Sequence, residues 1–241
     1  MNISLSEIDA RRFGIITAKA FLDQSDQVND VMNWCIEKKA ELLIARTPVE
    51  NITLAQDMEA AGSSLADTLI YYKNQNFQDM PFAAADGYSW RFATASDAEE
   101  VGQLSGRIFK NYQGHYHADR RLNKSDCDEV YVSWAVNSCL DKNIADTMLV
   151  ISFNQKIAGF LTLKTIDRET CEIVLNGVDP DFQNQGIYSL LIRLAKKWAT
   201  EHQFRQIVVS TQLNNLAVQK VWCRHGFEPH KSFYTFHKWF S

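Results

Sequence analysis

With 241 residues, 46% of them hydrophobic and 22% charged, the chain has the length of one large domain or two small ones, and its composition excludes a disordered or fibrous protein. A formal net charge of -4 excludes a general attraction to nucleic acid or to an anionic membrane, leaving only local basic patches for anionic ligands. The opening MNISLSEIDARRFG has no apolar signal core and no stretch approaches the ~20 apolar residues of a membrane span, so a soluble, unexported, cytoplasmic protein is expected.

The first half alternates strand and helix patterns. Residues 13–21 read as a strand, 28–39 as a helix with Val28, Val31, Met32, Cys35 and Ile36 on one face, and 42–45 as a buried strand. A second helix follows Pro48 and Asn51 and stops at Gly62, and 66–72 forms another strand. Residues 73–88 carry Asn, Gln, Asp, Pro and Gly without a sustained period and read as a linker. The division expected is 1–80 and 89–241.

The second half opens with a short strand at Trp90 and a helix started by a capping box, Ser96 with Glu99. The stretch NYQGHYHADRRLNK, residues 111–124, is too polar and irregular for a core and reads as a substrate loop. A helix carrying Val130, Trp134, Val136 and Leu140 comes next, then a hairpin, 148–153 and 156–164, turning at Asn154-Gln155. The apolar run 172–175 is a buried strand, and Leu190, Leu191, Leu194 and Trp198 mark the helix after Gly186. A strand at 207–210, a helix from Asn215 to a stop at Gly226, and an aromatic strand at 233–240 close the chain. Five scattered cysteines, Cys35, Cys127, Cys139, Cys171 and Cys223, show no C-x-x-C spacing, which points to reduced thiols and no metal.

Two features bear on function. The stretch NGVDPDFQNQG, residues 176–186, joins a buried strand to a helix, so several backbone N–H groups at that helix start have no partner within it and lie at the positive end of its dipole. Such a place seats phosphate, and Gly186 has no Cβ to hold a pyrophosphate off the backbone. The second feature is an internal repeat: Asn51 and Asn215, Gly62 and Gly226, Trp34 and Trp198, and Glu37 and Glu201 are each 164 residues apart. An ancient half-duplication and a chance convergence of two βαβ units are both open readings. Either way, the counterpart of Gln183 to Tyr188 in the first half is Lys19 to Gln24, which has no glycine.

The spelling Gln183-x-x-Gly186 after Val178-Asp179-Pro180 resembles the acyl-CoA pyrophosphate loop of the GNAT superfamily of N-acyltransferases. Residues 90–241 resemble a whole GNAT domain, and the unit before them is similar to the N-terminal domain of dTDP-fucosamine acetyltransferase-like sugar enzymes. The resemblance implies an α/β fold, a GNAT domain with a mixed central sheet flanked by helices, preceded by a truncated GNAT-like βαβαβ unit without a CoA loop. It implies acyl-CoA, as acetyl-CoA or a longer short-chain acyl-CoA, in the gap where the strand ending at Val178 splays from the strand at Ile207. Asn176, Gly177 and Val178 would bond the pantetheine and thioester, and Gln183, Asn184, Gln185, Gly186, Ile187 and Tyr188 would hold the pyrophosphate. Asn215 matches the family's pantetheine-contacting Asn.

Two residues depart from that pattern. Tyr188 replaces the last small residue of the loop, and its side chain is expected to point away from the phosphates. Trp222 stands where many members have the Tyr that protonates the leaving thiolate, and an indole N–H is no general acid. That role is vacant or has moved. A backbone N–H near Asn176 is the economical oxyanion donor. Glu172 matches a family base position, or is a glutamate at a strand end. His115 and His117 are alternative bases, and His115, Tyr116, His117, Asp119, Arg120 and Arg121 are candidate acceptor-binding residues. Tyr234 and His237, on the last strand, are candidate substrate contacts and proton donors, or members of a packed aromatic strand.

The function expected is transfer of an acetyl or other short acyl group to the amine of a nucleotide-linked, dTDP-type amino-deoxy sugar, with Arg120, Arg121 or Lys124 meeting the phosphates. Two other readings stay open, a protein or amino-acid N-acetyltransferase and a non-catalytic acyl-CoA-binding protein. No nucleic-acid or membrane partner is expected, and the chain is read as a monomer or homodimer.

Overall fold

The computed structural model of the chain describes residues 2–23, 28–77 and 87–240. In chain order its elements are β1 (Asn2–Leu5), α1 (Glu7–Phe13), β2 (Thr17–Phe21), α2 (Val28–Glu37), β3 (Leu42–Pro48), α3 (Ile52–Ala60) and β4 (Ser64–Asn74). There follow β5 (Tyr88–Phe92), α4 (Ala98–Ile108), α5 (His115–Ala118), α6 (Lys124–Leu140), β6 (Thr147–Phe153), β7 (Lys156–Thr165) and β8 (Thr170–Val178). The chain ends with α7 (Ile187–Glu201), β9 (Gln206–Gln212), α8 (Leu216–Arg224) and β10 (Glu228–Trp239). The described strands form one mixed sheet in the order β1-β2-β3-β10-β4-β9-β8-β7-β6-β5. The division expected at residue 80 lies outside the described residues, as does Gln24; the expected match of Lys19 to Gln24 with the loop Gln183 to Tyr188 is corrected, because Lys19 to Phe21 belong to β2, which pairs β3 as β8 pairs β9.

Two local expectations are corrected. The strand read over 13–21 begins only at Thr17, because α1 has its own start and stop signals. Ser6 caps it, Glu7 and Asp9 occupy its first turn, Arg11 and Arg12 its last, and Gly14 ends it at φ 65°. The capping box before α4 is Thr94 with Asp97 rather than Ser96 with Glu99. Asp97 accepts from the Thr94 backbone N–H at 2.7 Å while Arg91 grips both its oxygens at 2.7 Å, a use of the carboxylate that Glu99 does not have.

The repeat is carried into the structure with close boundaries. Advancing by 164 residues takes Leu42–Pro48 onto Gln206–Gln212, Ile52–Ala60 onto Leu216–Arg224, and the start of β4, Ser64, onto the start of β10, Glu228. The two halves exchange their last strands. β10 lies antiparallel to β3 with Phe233 opposite Pro48, and β4 lies antiparallel to β9 with Leu69 opposite Gln212, the same register after the shift. Leu69 and Phe233, themselves counterparts, face each other where β4 and β10 pair. The sheet therefore has a local two-fold between β4 and β10, and neither half completes its strand set without the other.

Alternation along the strands fills two layers of the second half. Leu149 and Ile151 join Leu191, Ala195 and Trp198 of α7 on one face, and Val150 joins Leu104 and Val130 of α4 and α6 on the other. A third cluster, with Leu43, Ala45, Met58 and Phe236, covers the first half under α2 and α3.

Candidate active site

The site begins where the sheet fails to pair. β8 and β9 are parallel and in register from Thr170 opposite Gln206 to Ile173 opposite Val209. Pairing stops there although the strands run on to Val178 and Gln212. The cause is on the other edge of β8, where the register against β7 shifts between Leu163 opposite Ile173 and Leu161 opposite Asn176. That β-bulge bends the strand. Thr162 fills the gap, its hydroxyl accepting from the Leu175 N–H at 2.8 Å and donating to the Leu175 carbonyl at 3.0 Å.

The bulge also resets which way side chains point. Cys171 and Ile173 pack with the α7 layer, but Leu175 packs with the α4–α6 layer. Asn176 then returns to the α7 side, where its Oδ1 accepts from the Tyr188 hydroxyl at 2.7 Å. Glu172 and Asn176, four residues apart, thus reach opposite faces of the sheet. Gly177 is required for closeness, since a Cβ there would lie 2.6 Å from Ile108 of α4.

The loop after β8 is fixed at its root and open at its tip. Asp179 is buried and accepts from Arg107 at 2.7 Å and from the Asp181 N–H at 3.1 Å. Gln183, Asn184, Gln185 and Gly186 are exposed. Gly186, at φ 80°, caps α7 with no side-chain bond, and a Cβ built on it would meet nothing within 4 Å. The N–H groups of Ile187 and Tyr188 thus start α7 without a helical partner. Tyr188 points across to the strands: besides its bond to Asn176, its hydroxyl accepts from the Trp222 indole N–H at 2.9 Å. Burial drives the Tyr188 phenol well above its ordinary value, against the opposing pull of the Trp222 bond.

A cavity of about 530 Å³ passes through the splay. Val218 and Trp222 of α8 line one side, and Tyr112, His115 and Tyr131 line the other. Between them lie Glu172, Val174 and Asn176 of β8 and Ser210 and Gln212 of β9, with Asn215 at the start of α8. The first half supplies Lys19, Phe21, Ile44, Arg46 and Tyr71. Burial raises the Glu172 carboxyl above its ordinary value, opposed by Lys231 and Arg46. Gln212 Oε1 is buried on this wall with no partner among the described residues.

The polar stretch read as a loop is partly core, because α5 turns it inward. His115 and Tyr116 are buried. Tyr116 donates to Asp9 at 2.8 Å, and Asp9 is paired with Lys19 at 2.5 Å, which ties α5 to the first half. His115 Nδ1 lies 2.9 Å from His237 Nε2, and His237 Nδ1 lies 2.7 Å from Asp119 Oδ2, which also accepts from Trp239 at 2.8 Å. His117 is turned from the cavity, its Nε2 3.0 Å from Asp128 and its Nδ1 accepting from the Gly114 N–H. Arg120 and Arg121 are exposed outside the cavity wall, Arg121 over the Trp239 ring at 4.1 Å. Tyr234 packs with the first-half core. The structure therefore gathers Glu172, Asn176, Asn215 and His115 at one cavity, sets Asp119 and His237 behind His115, and leaves His117, Arg120, Arg121 and Tyr234 elsewhere. Tyr112, Tyr131, Lys19, Arg46 and Gln212 are additions. Arg46 had a signal, a single cation ending the apolar run LLIA.

A splayed parallel pair, a cavity through the sheet and an open helix start after the same strand characterise this α/β fold. The model described as Acetyltransferase (GNAT) family matches residues 103–227, more than half of the chain, and the chain belongs to that family. It is 27% identical over 144 residues to the spore coat polysaccharide biosynthesis protein SpsD of Bacillus subtilis (strain 168), a match covering 59% of this chain and 48% of SpsD, about half that relative's length. It is 24% identical over 164 residues to the uncharacterized N-acetyltransferase MJ1207 of Methanocaldococcus jannaschii, covering 66% of this chain and 68% of that one. Among solved structures, a conserved Staphylococcus epidermidis protein of unknown function superposes with a TM-score of 0.66 at 16% identity, covering 98% of this chain and 90% of its own. A tandem GNAT protein from the clavulanic acid biosynthesis pathway gives 0.63 at 13%, covering 87% and 67%. These two show the fold alone. Among the described residues no helix is long and apolar enough to cross a membrane.

Proposed function

We propose that the chain transfers an acetyl or other short acyl group from acyl-CoA to the amine of a nucleotide-linked amino-deoxy sugar. The observation that carries this is the cavity that crosses the sheet at the splay, with Val218 and Trp222 of α8 on one face and a polar wall carrying Lys19 and Arg46 on the other, while the open start of α7 follows the same strand, β8. The N–H groups from Gln185 to Tyr188 suit the pyrophosphate, because Gly186 leaves their approach open. The unpaired edge of β8 from Val174 to Val178, with Asn215 opposite, suits the pantetheine. A backbone N–H near Asn176 serves the developing oxyanion.

The acid that Trp222 does not supply is assigned to Tyr188. Its hydroxyl keeps its proton, takes a bond from Trp222 and stands at Asn176, beside the thioester end of that edge. Glu172 and His115 are the groups on the opposite face able to draw the proton from the acceptor.

For the acceptor, Lys19 and Arg46 bring positive charge to the wall, and Arg46 has no carboxylate in salt-bridge contact among the described residues. A diphosphate fits there, in place of the Arg120 and Arg121 contacts suggested by the sequence. Tyr112, Tyr131 and Tyr71 offer ring faces, and the unpartnered Gln212 Oε1 calls for a donor such as a sugar hydroxyl. The name of SpsD, a spore coat polysaccharide biosynthesis protein, supports a sugar substrate. We keep residues 1–80 as the part that completes the acceptor side and 89–241 as the part that holds CoA. Steady-state kinetics with acetyl-CoA and dTDP-linked amino sugars, free amino sugars and short peptides test the reading. The dTDP-linked compounds should win in kcat/KM because the remote diphosphate orients the amine; equal values for a peptide or a free sugar contradict it.

A further inference from the structure

The geometry points to a proton relay, Asp119 to His237 to His115, that ends at the acceptor wall and takes the proton from the attacking amine. This deepens the acyltransfer reading and rests on it. The three side chains come from two distant parts of the chain, residues 115–119 and β10, and bonds of 2.7 and 2.9 Å join them through the two ring nitrogens of His237. Asp119 fixes the direction. Burial alone would raise its carboxyl, but bonds from His237, the Arg121 N–H and Trp239 outweigh that and hold it at about 2. An ionised carboxylate only accepts, so His237 Nδ1 donates to it. In the neutral pair His237 Nε2 then accepts from His115 Nδ1–H. The lone pair of His115 is left on Nε2, which has no partner among the described residues, and the residue lines the cavity.

The surroundings favour a neutral His115 at rest. Burial first, then His237, Arg46, Lys19 and His117, hold its imidazole well below the usual value, while Tyr116 lies against it with ring centroids 3.9 Å apart. In the reaction the amine nitrogen bonds the acyl carbon, the C–S bond breaks, and the amine proton passes to His115 Nε2. The Nδ1 proton moves to His237 Nε2, and the resulting imidazolium faces Asp119. The thiolate takes its proton from Tyr188 and leaves as CoA thiol; once product leaves, His237 passes the extra proton back to His115 Nδ1, His115 Nε2 gives its own to water in the cavity, and water reprotonates Tyr188, so each turnover ends with the protons where it began. His115 is the catalytic base, and His237 and Asp119 are positioning residues that set its tautomer and stabilise its charge.

Two measurements on the full chain test this. With ¹⁵N-labelled histidine, long-range ¹H–¹⁵N spectra at pH 7 should show His115 and His237 both protonated on Nδ1, with the His237 proton strongly downfield and lost in Asp119→Asn. A proton on His115 Nε2 overturns the relay whatever the substrate. In kinetics with acetyl-CoA and a dTDP-linked amino sugar, His115→Gln should lower kcat about 10²-fold or more with acetyl-CoA affinity by calorimetry unchanged. Asp119→Asn should lower kcat about tenfold and move the acid limb of its pH profile. A His115→Gln enzyme that binds acetyl-CoA and turns over normally overturns the proposal. If no dTDP-linked sugar reacts with the wild type, the acceptor reading fails, while the spectra and the acetyl-CoA hydrolysis rate, with water as acceptor, still decide the relay: hydrolysis should fall in His115→Gln, and an unchanged rate overturns it.

Discussion

The two halves share strands and helices, from β3 to β4 at the 164-residue spacing and with Thr17 of β2 answering to Thr170 of β8 at 153, but β2 and β3 stay zipped where β8 and β9 open. β2 pairs β3 along its whole length, from Thr17 opposite Leu42 to Phe21 opposite Arg46, whereas β8 abandons β9 after Ile173. Three local changes separate them. β8 has a bulge held by Thr162, its loop has a left-handed glycine at its tip, and α7 is fifteen residues long where α2 has ten. The comparison teaches that a common scaffold becomes a site through a few backbone departures, and that the closed half is free to serve as wall. Its Lys19 and Arg46 line the cavity that the other half opens.

The largest expected effect comes from closing the open half. Gly186→Trp puts a bulky side chain at a φ of 80° over the helix start, and calorimetry should show acetyl-CoA affinity reduced about 100-fold or more. Lys19→Ala, in the closed half, should leave that affinity unchanged while raising KM for the acceptor. Next in size is Tyr188→Phe, which removes the assigned acid and should lower kcat about 10²-fold with acetyl-CoA binding kept. Adding Trp222→Tyr to that variant should restore part of the loss; no recovery places the acid elsewhere. Because burial raises the Tyr188 phenol, the wild-type rate should show no alkaline fall from loss of that proton up to pH 10.

Thr162→Val sharpens the comparison on the stability side. It leaves the N–H and C=O of Leu175 without their partner, and urea unfolding should show a loss of about 1–3 kcal/mol. The smallest kinetic effect is assigned to Glu172→Gln, less than about tenfold in kcat, since His115 is the base; a larger loss would transfer that role. Asp119 adds a pH signature. Its folded carboxyl is held at about 2, so its share of stability is present above pH 3.8 and lost as the pH falls toward 2. Acid unfolding of Asp119→Asn should lack that step.

Much of this was legible along the chain because it is local. Gln183 to Gly186 placed the open helix start, and the spacing of Asn51 and Asn215 and of Gly62 and Gly226 placed the matching helices of both halves. The exchange of β4 and β10 was not, since periodicity within a strand reports its faces but not its neighbours. Nor was the burial of His115: the polarity of residues 111–124 signals solvent unless one knows that His237, from the far end of the chain, comes between His115 and Asp119 and satisfies both. The direction of Tyr188 toward Asn176 and Trp222 was not legible either, since the position of Asn176 depends on the bulge at Val174 and Leu175, for which a single apolar run gives no sign.

Hydrogen exchange on the whole chain, with and without acetyl-CoA, tests most directly the claim that the open half alone holds the cofactor. Exchange should slow at the N–H groups of 174–178 and 185–188 and stay unchanged at 17–21 and 42–48. Protection along β2 and β3, or an unchanged pattern at 185–188 with acetyl-CoA bound, would contradict it.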